Sequence, residues 1–148
     1  MEEVARAAPD SFKIFQIYLS KVADVNKDIW SRVKQAGYSA LALTLDTQVF
    51  GKRESDVRNG FQLPTGLGLA NFTKYKVTSE VKSSGQDSGL AEYVRDHKDS
   101  NIGWEVIPEI KRISGLPVIA KGIMCYEDAL IAIQHGADAL HVSNHGAR

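Results

Sequence analysis

The chain has 148 residues, 43% of them hydrophobic, which is the size and composition of one globular domain. Its 18 basic and 18 acidic residues cancel, so the charge gives no reason to expect binding to nucleic acid or to an anionic membrane. No apolar run approaches the roughly 20 residues of a membrane helix, and Glu2 and Glu3 stand where a signal peptide would be basic, so we expect a soluble, intracellular protein.

The first predicted elements form a strand, a helix and a second strand. Lys13–Tyr18 reads as a strand, and a helix over about Asp24–Ala36 repeats apolar residues every four positions. Asp24 is suited to cap the first turn, and Gly37 to end the helix in the left-handed conformation. Ala40–Leu45 is a nearly continuous apolar run, which favours a parallel strand that is covered on both faces.

Four more elements are predicted in the second half of the chain. A proline inside a helix removes a hydrogen bond, so the helix over about Val106–Ile113 should begin near Ile107, with Pro108 at its first position. The remaining elements are a strand, a helix and a strand, at Pro117–Lys121, Tyr126–His135 and Asp138–Ser143.

This alternation of strands and helices predicts an α/β fold with a parallel sheet. Either an open doubly wound sheet or part of a (β/α)₈ barrel satisfies it, and four strands are half of such a barrel. The segment over about 47–102 interrupts the alternation with polar, weakly periodic sequence. A connection of that length is typical of an active-site lid, or of a solvated linker.

Polar residues gather where the predicted strands end. Ligands and catalytic groups of parallel α/β folds lie at the carboxyl ends of the strands. Singly, most such residues cap a turn, satisfy a loop backbone or extend to water. Jointly they indicate a site: Gln16, Tyr18, Thr44, Asp46, Lys121, Ser143 and His145.

His145 is the strongest candidate for acid–base chemistry, because imidazole titrates near neutral pH and Asp46 is suited to stabilise the imidazolium. Arg148 offers a planar fork that can hold a carboxylate by two hydrogen bonds. We interpret His141 as a structural strand residue. The histidines lack a metal-ligand spacing with carboxylates, so no metal is predicted.

Several motifs follow one another over nearly the whole chain. They are Phe15–Tyr18, Leu43–Thr47, Gly51–Glu54, Leu116–Gly122 and Ser143–Arg148, with Asp56–Asn59 and Asp87–Leu90 between them. No one motif is specific, but the ordered set resembles that of the FMN-dependent 2-hydroxy-acid dehydrogenase and oxidase family, to which glycolate oxidases and animal hydroxyacid oxidases belong.

The resemblance implies a TIM barrel, of which residues 1–148 would form a partial domain at about the third to sixth strands, with 47–102 as a long active-site loop. By resemblance, Gln16, Thr44 and Lys121 contact the flavin. His145 would be the base that deprotonates the substrate, with Asp46 as its partner. Three residues would hold the substrate: Tyr18, Arg53 and Arg148.

The implied activity is oxidation of an (S)-2-hydroxy acid such as glycolate to the 2-oxo acid, after which oxygen reoxidises the FMN and yields hydrogen peroxide. The resemblance also implies a homo-oligomer. A peroxisomal location follows by family analogy only, since Gly146-Ala147-Arg148 does not match the C-terminal peroxisomal address.

Departures from the family leave two alternatives. The family's first two and last two strands, including its FMN phosphate anchor, have no counterpart in these 148 residues, so we expect weak cofactor binding. A truncated, inactive paralogue or fragment that at most binds a partner is therefore one alternative. The other is a Schiff-base aldolase, because a lysine at a strand end, such as Lys121, can act as a nucleophile.

Overall fold

The computed structural model describes residues 1–49, 51, 54–64, 67–75 and 94–146. The chain divides into two compact units. The first unit contains Met1–Gln48 together with Asp99–Arg148, and the second contains Val49–Lys98. No helix among the described residues is long and apolar enough to cross a membrane.

The elements of the first unit are four helices and four strands. In chain order they are α1 Glu2–Ala7, β1 Ile14–Ile17, α2 Ala23–Gln35, β2 Ala40–Thr44, then α4 Val106–Ser114, β3 Val118–Ile123, α5 Tyr126–Gln134 and β4 Ala139–Val142. The second unit contributes α3 Glu54–Arg58 and a 3₁₀ helix at Ala70–Phe72, neither of which was predicted. The polar stretch at 82–89 lies outside the described residues.

The four strands form one parallel sheet in the order β1-β2-β3-β4. All four predicted strands are present. Three of them, β1, β2 and β4, are shorter than predicted, whereas β3 begins one residue later than predicted and extends two residues further. Because neighbouring strands run in the same direction, their carboxyl ends meet at a single edge of the sheet. The polar residues predicted at strand ends therefore share that edge.

One face of the sheet is packed under α2 and α4, and we call it the helix face. Leu41, Leu43, Val118 and Ala120 point to it and are fully buried. The two helices also pack against each other. Their buried side chains include Ile29, Trp30 and Val33 of α2 and Ile107 and Ile110 of α4. This explains the continuous apolar sequence of β2, since the opposite face of β2 is buried too.

The beginning of α2 differs from the prediction. Val22 is the N-cap and Asp24 lies inside the first turn, where it pairs with Lys27 at 3.8 Å and makes no cap. Asn26 anchors this end instead: its Oδ1 accepts from the Ser20 N–H at 2.8 Å and its Nδ2 donates to the Ser20 carbonyl at 2.8 Å. The prediction was wrong because α2 begins at Ala23, which places Asp24 inside the helix and not at its N-cap. Gly37 does adopt the left-handed conformation, with φ of 77°.

Helix α4 begins earlier than predicted. Its first residue is Val106, which makes Pro108 the third residue of the helix and not the first. The placement costs little, because the first N–H groups of a helix have no partner within the helix in any case. The prediction was too strict in reserving the first position for proline.

The short helix α1 is tied to α2 by a charged contact that periodicity does not reveal. Nε and Nη2 of Arg32 donate to the two carboxylate oxygens of Glu2, at 2.8 and 3.2 Å. These hydrogen bonds lower the pKa of Glu2 to about 2. The Tyr38 hydroxyl adds a hydrogen bond to the Met1 carbonyl at 3.2 Å.

Candidate active site

The face of the sheet opposite the helix face carries most of the predicted polar residues, and we call it the site face. Thr44 is in register with Lys121, and Lys121 with His141, so these three side chains point to the same side. Gln16 joins them because it is in register with Ala42, two residues before Thr44. The site face is therefore a polar row across four adjacent strands.

Gln16 and Thr44 form a direct hydrogen bond on the site face. Nε2 of Gln16 donates to Oγ1 of Thr44 at 2.7 Å, and Thr44 is 1% exposed. The bond fixes the orientation of the amide, so the Gln16 Oε1 points away from Thr44 as an acceptor. Two polar groups from neighbouring strands are thus held in place beside Lys121.

Asp46 and His145 form a second pair at the carboxyl edge. Nδ1 of His145 lies 3.0 Å from Oδ1 of Asp46. A carboxylate only accepts, so Nδ1 carries the proton and Nε2 of the neutral ring has a free lone pair. His145 also has a positive φ of 58°, which a non-glycine residue rarely adopts, and its N–H donates to the Ser143 Oγ at 3.1 Å.

The free side of the imidazole faces Tyr18. The Tyr18 hydroxyl lies 3.3 Å from Nε2 of His145, so the hydroxyl can donate to the unprotonated nitrogen. Tyr18 is 38% exposed, and the side chain of His145 is 27% exposed. The hydroxyl and the imidazole are therefore both accessible to a small molecule at this edge.

Lys121 stands on the other side of Asp46. Its Nζ lies 3.9 Å from Oδ2 of Asp46, an ion pair that is too long for a hydrogen bond. The side chains are 16% and 9% exposed, and Oδ2 of Asp46 accepts no hydrogen bond from the described residues. One carboxylate thus faces the imidazole with one oxygen and the ammonium group with the other.

His141 was not predicted as a site residue, yet its register with Lys121 places it on the site face, where it is exposed. Sequence alternation offered the signal, because His141 stands two residues before Ser143. Arg53 and Arg148, the other predicted substrate contacts, lie outside the described residues. Among the described residues, no three His, Cys, Asp or Glu side chains cluster so as to hold a metal ion.

Known sequences resemble this chain over its whole length. Human 2-hydroxyacid oxidase 1 is 42% identical over 149 aligned positions, which are 100% of this chain and 40% of that protein. Glycolate oxidase 3 of Arabidopsis thaliana is 43% identical over 148 positions, 100% of this chain and 39% of that protein. The chain therefore spans about 40% of the length of the curated relatives it matches.

Solved structures show the same fold. A structure of mandelate oxidase with (S)-4-hydroxymandelic acid superposes with a TM-score of 0.85 at 33% identity, over 99% of this chain and 40% of that one. A soluble mutant of the membrane-associated (S)-mandelate dehydrogenase of Pseudomonas putida gives 0.78 at 30% identity, over 99% and 40%. The predicted class is confirmed: the chain is α/β and forms part of a TIM barrel.

The family assignment rests on a match over the full length. The sequence profile of the FMN-dependent dehydrogenases matches residues 1–148, which includes all four strands of the sheet and both members of the Asp46–His145 pair. The chain belongs to the FMN-dependent dehydrogenase family.

Proposed function

We propose that this chain carries the base and part of the flavin site of an FMN-dependent oxidase. The enzyme would convert an (S)-2-hydroxy acid such as glycolate to the 2-oxo acid and produce hydrogen peroxide. The observation that carries the proposal is a chain of three side chains. The Tyr18 hydroxyl lies 3.3 Å from Nε2 of His145, and Nδ1 of the same ring lies 3.0 Å from Oδ1 of Asp46. Relatives named 2-hydroxyacid oxidase and glycolate oxidase support it.

In this proposal, His145 is the catalytic base. Its Nε2 accepts a proton from the 2-hydroxy acid, and the ring becomes an imidazolium whose Nδ1–H points at the Asp46 carboxylate. Asp46 is positioned to hold the tautomer that leaves Nε2 unprotonated and to stabilise the positive charge after proton transfer. The imidazolium would then release this proton to solvent, which restores the base for the next turnover.

The residues on the site face fit FMN by their chemistry. An amide, a hydroxyl and an ammonium group lie together in Gln16, Thr44 and Lys121, and they can donate to the ring nitrogens and carbonyl oxygens of a flavin. FMN, when bound, supplies the acceptor for two electrons. The fixed charge of Lys121 would stabilise the negative charge that a reduced flavin carries.

The substrate contacts are also part of the proposal. The Tyr18 hydroxyl would donate a hydrogen bond to the substrate. The guanidinium groups of Arg53 and Arg148 would hold the substrate carboxylate, since a guanidinium matches a carboxylate with two parallel hydrogen bonds. Molecular oxygen would be the electron acceptor. We further propose a homo-oligomer and, by family analogy, an intracellular, peroxisomal location.

The aldolase alternative gains no support from the geometry. A Schiff-base lysine must lose its proton to become a nucleophile. Nζ of Lys121 instead stands 3.9 Å from Oδ2 of Asp46, where the two groups form an ion pair. The alternative of an inactive fragment is tested by titration with flavin.

The test begins with flavin binding. The purified chain is titrated with FMN, and binding is followed by flavin fluorescence. The complex is then mixed with glycolate or L-lactate without oxygen, which should bleach the flavin absorbance. His145→Ala should retain FMN and lose the bleaching. The control His135→Ala should retain both, because His135 lies at the far end of α5 and bonds the Ile131 carbonyl.

The alternatives predict different results. Absence of FMN binding would favour a fragment that at most binds a partner. Borohydride trapping of a carbonyl compound on Lys121 would favour the aldolase. Bleaching that survives His145→Ala would remove His145 from the role of base.

A further inference from the structure

We propose that Gly122 is a positioning residue for the base: its missing side chain makes the space in which Asp46 reaches His145. Gly122 has no side chain to offer to a substrate and would act through Asp46. The space beside Asp46 is a feature of the fold, and its consequence for catalysis rests on the proposed role of His145.

Gly122 is the extra residue of a β-bulge. Lys121 is in register with His141, but the next paired residues are Ile123 and Val142. Between these two pairs β3 therefore advances by two residues and β4 by one. Gly122 has φ of 97°, in the region that side chains other than glycine disfavour. The bulge turns the backbone of β3 toward the segment that follows β2.

That segment is Asp46. A Cβ atom built on Gly122 would lie 2.5 Å from both Cβ and Cγ of Asp46, and 2.9 Å from its backbone nitrogen. Rotation of the side chain moves Cγ but leaves Cβ and the backbone nitrogen in place, so these two contacts cannot be relieved by a change of rotamer. The Leu45 N–H, one residue earlier, donates to the Lys121 carbonyl at 2.9 Å and holds this segment against β3. A side chain on Gly122 must therefore displace Asp46 or the bulge.

Other glycines with positive φ supply the contrast. Gly136, which follows α5, has φ of 88°, and a Cβ there would meet nothing within 4 Å. Alanine at Gly136 therefore carries the cost of the left-handed backbone alone, while alanine at Gly122 carries that cost and the collision with Asp46. Gly136→Ala is the matched control for Gly122→Ala.

The first readout is the proton on Nδ1 of His145, followed by ¹H–¹⁵N NMR of the full chain labelled on histidine. In the parent chain, this proton should give a downfield, hydrogen-bonded signal, assigned by its loss in Asp46→Ala. Gly122→Ala should abolish the signal or move it to the position of an exposed imidazole, and Gly136→Ala should leave it in place. Neither FMN nor substrate is needed, so this result is separate from the test of the proposed function.

The second readout is catalysis by the FMN-loaded chain. A displacement of about 1 Å can reduce a rate by about 10²-fold. Gly122→Ala should therefore lower kcat by about that factor with little change in KM, and Gly136→Ala should leave both near the parent values. If the parent chain does not reduce its flavin, but Gly122→Ala still abolishes or moves the Nδ1 signal, the proposed function is refuted and the positioning role of Gly122 is not.

A double variant covers the case in which Gly122→Ala does not fold. Asp46→Gly removes both side-chain atoms that the new Cβ meets. The shift of the urea midpoint caused by Gly122→Ala should then shrink toward that caused by Gly136→Ala, and the remaining contact with the backbone nitrogen at position 46, at 2.9 Å, should keep it larger. An equal shift with and without the Asp46 side chain would overturn the proposal, as would an unchanged Nδ1 signal in folded Gly122→Ala.

Discussion

Asp46 and His145 meet across an intervening strand. They are 99 positions apart in the chain, and their Oδ1 and Nδ1 atoms are 3.0 Å apart. Asp46 follows β2 and His145 follows β4, and the sheet order places β3 between them. The contact is possible because both residues lie beyond the strand ends, where Gly122 leaves the space above β3 open.

Replacement of this carboxylate by an amide tests what the contact does. In Asp46→Asn, the amide can donate to Nδ1 and so favour the tautomer with the proton on Nε2, which is unsuited to a base. We expect kcat for 2-hydroxy-acid oxidation to fall by about 10²–10⁴-fold. Steady-state peroxide production measures it, and Asp10→Asn, at an exposed site, is the control. A loss of less than tenfold would contradict the assigned role.

The sequence predicted the sheet and the edge on which the polar residues gather, because both follow from local patterns. Apolar runs mark the strands, and parallel order brings their carboxyl ends together. Thr44, Asp46 and Lys121 stand together for this reason. No knowledge of distant contacts was needed.

Features that depend on distant contacts were missed. Asn26 anchors the beginning of α2 through Ser20, a loop residue that no helical pattern includes. Side chains alternate between the two faces of a strand, and the bulge at Gly122 interrupts this alternation in β3 between Lys121 and Ile123. His141 was interpreted as a structural strand residue, and its register with Lys121 shows that it lies on the site face.

The ammonium group of Lys121 should set the reduction potential of the flavin. Lys121→Met removes the fixed charge from the site face, and a reduced, anionic flavin then loses its stabilisation. We expect the two-electron midpoint potential of bound FMN to fall by about 30 mV or more, equivalent to about 1.4 kcal/mol. Dye-coupled reduction measures this potential, with Lys34→Met on the exposed side of α2 as the control. An unchanged potential would place Lys121 away from the flavin.

Asp138 links α4 to the sheet. Its two oxygens accept from Lys111 Nζ and from the Val118 N–H, both at 2.8 Å. The Lys111 hydrogen bond, followed by that from Val118, lowers the pKa of Asp138, so its contribution is present above the ordinary value of 3.8 and lost as the pH falls through the lowered one. Asp138→Asn keeps an acceptor for Val118 but loses the ion pair.

The expected cost of Asp138→Asn is about 1 kcal/mol in the free energy of unfolding at pH 7, because both side chains are partly exposed and solvent screens the pair. Urea denaturation measures it. The difference from the parent should vanish under conditions acid enough to protonate Asp138. A cost that is independent of pH would show that packing, and not charge, is responsible.

The contact between α1 and α2 gives a second pH dependence of stability. Hydrogen bonding from Arg32 lowers the pKa of Glu2 from 4.5 to about 2, so the folded state is favoured above pH 4.5 and this advantage disappears between pH 4.5 and about 2. Glu2 is 41% exposed, so we expect Glu2→Gln to cost only about 0.5–1 kcal/mol at pH 7. Glu3→Gln, at the exposed neighbouring position, should cost less. Unfolding curves at pH 7 and near pH 2 provide the measurement, and a Glu2→Gln difference of equal size at both would show that α1 is not held by this carboxylate.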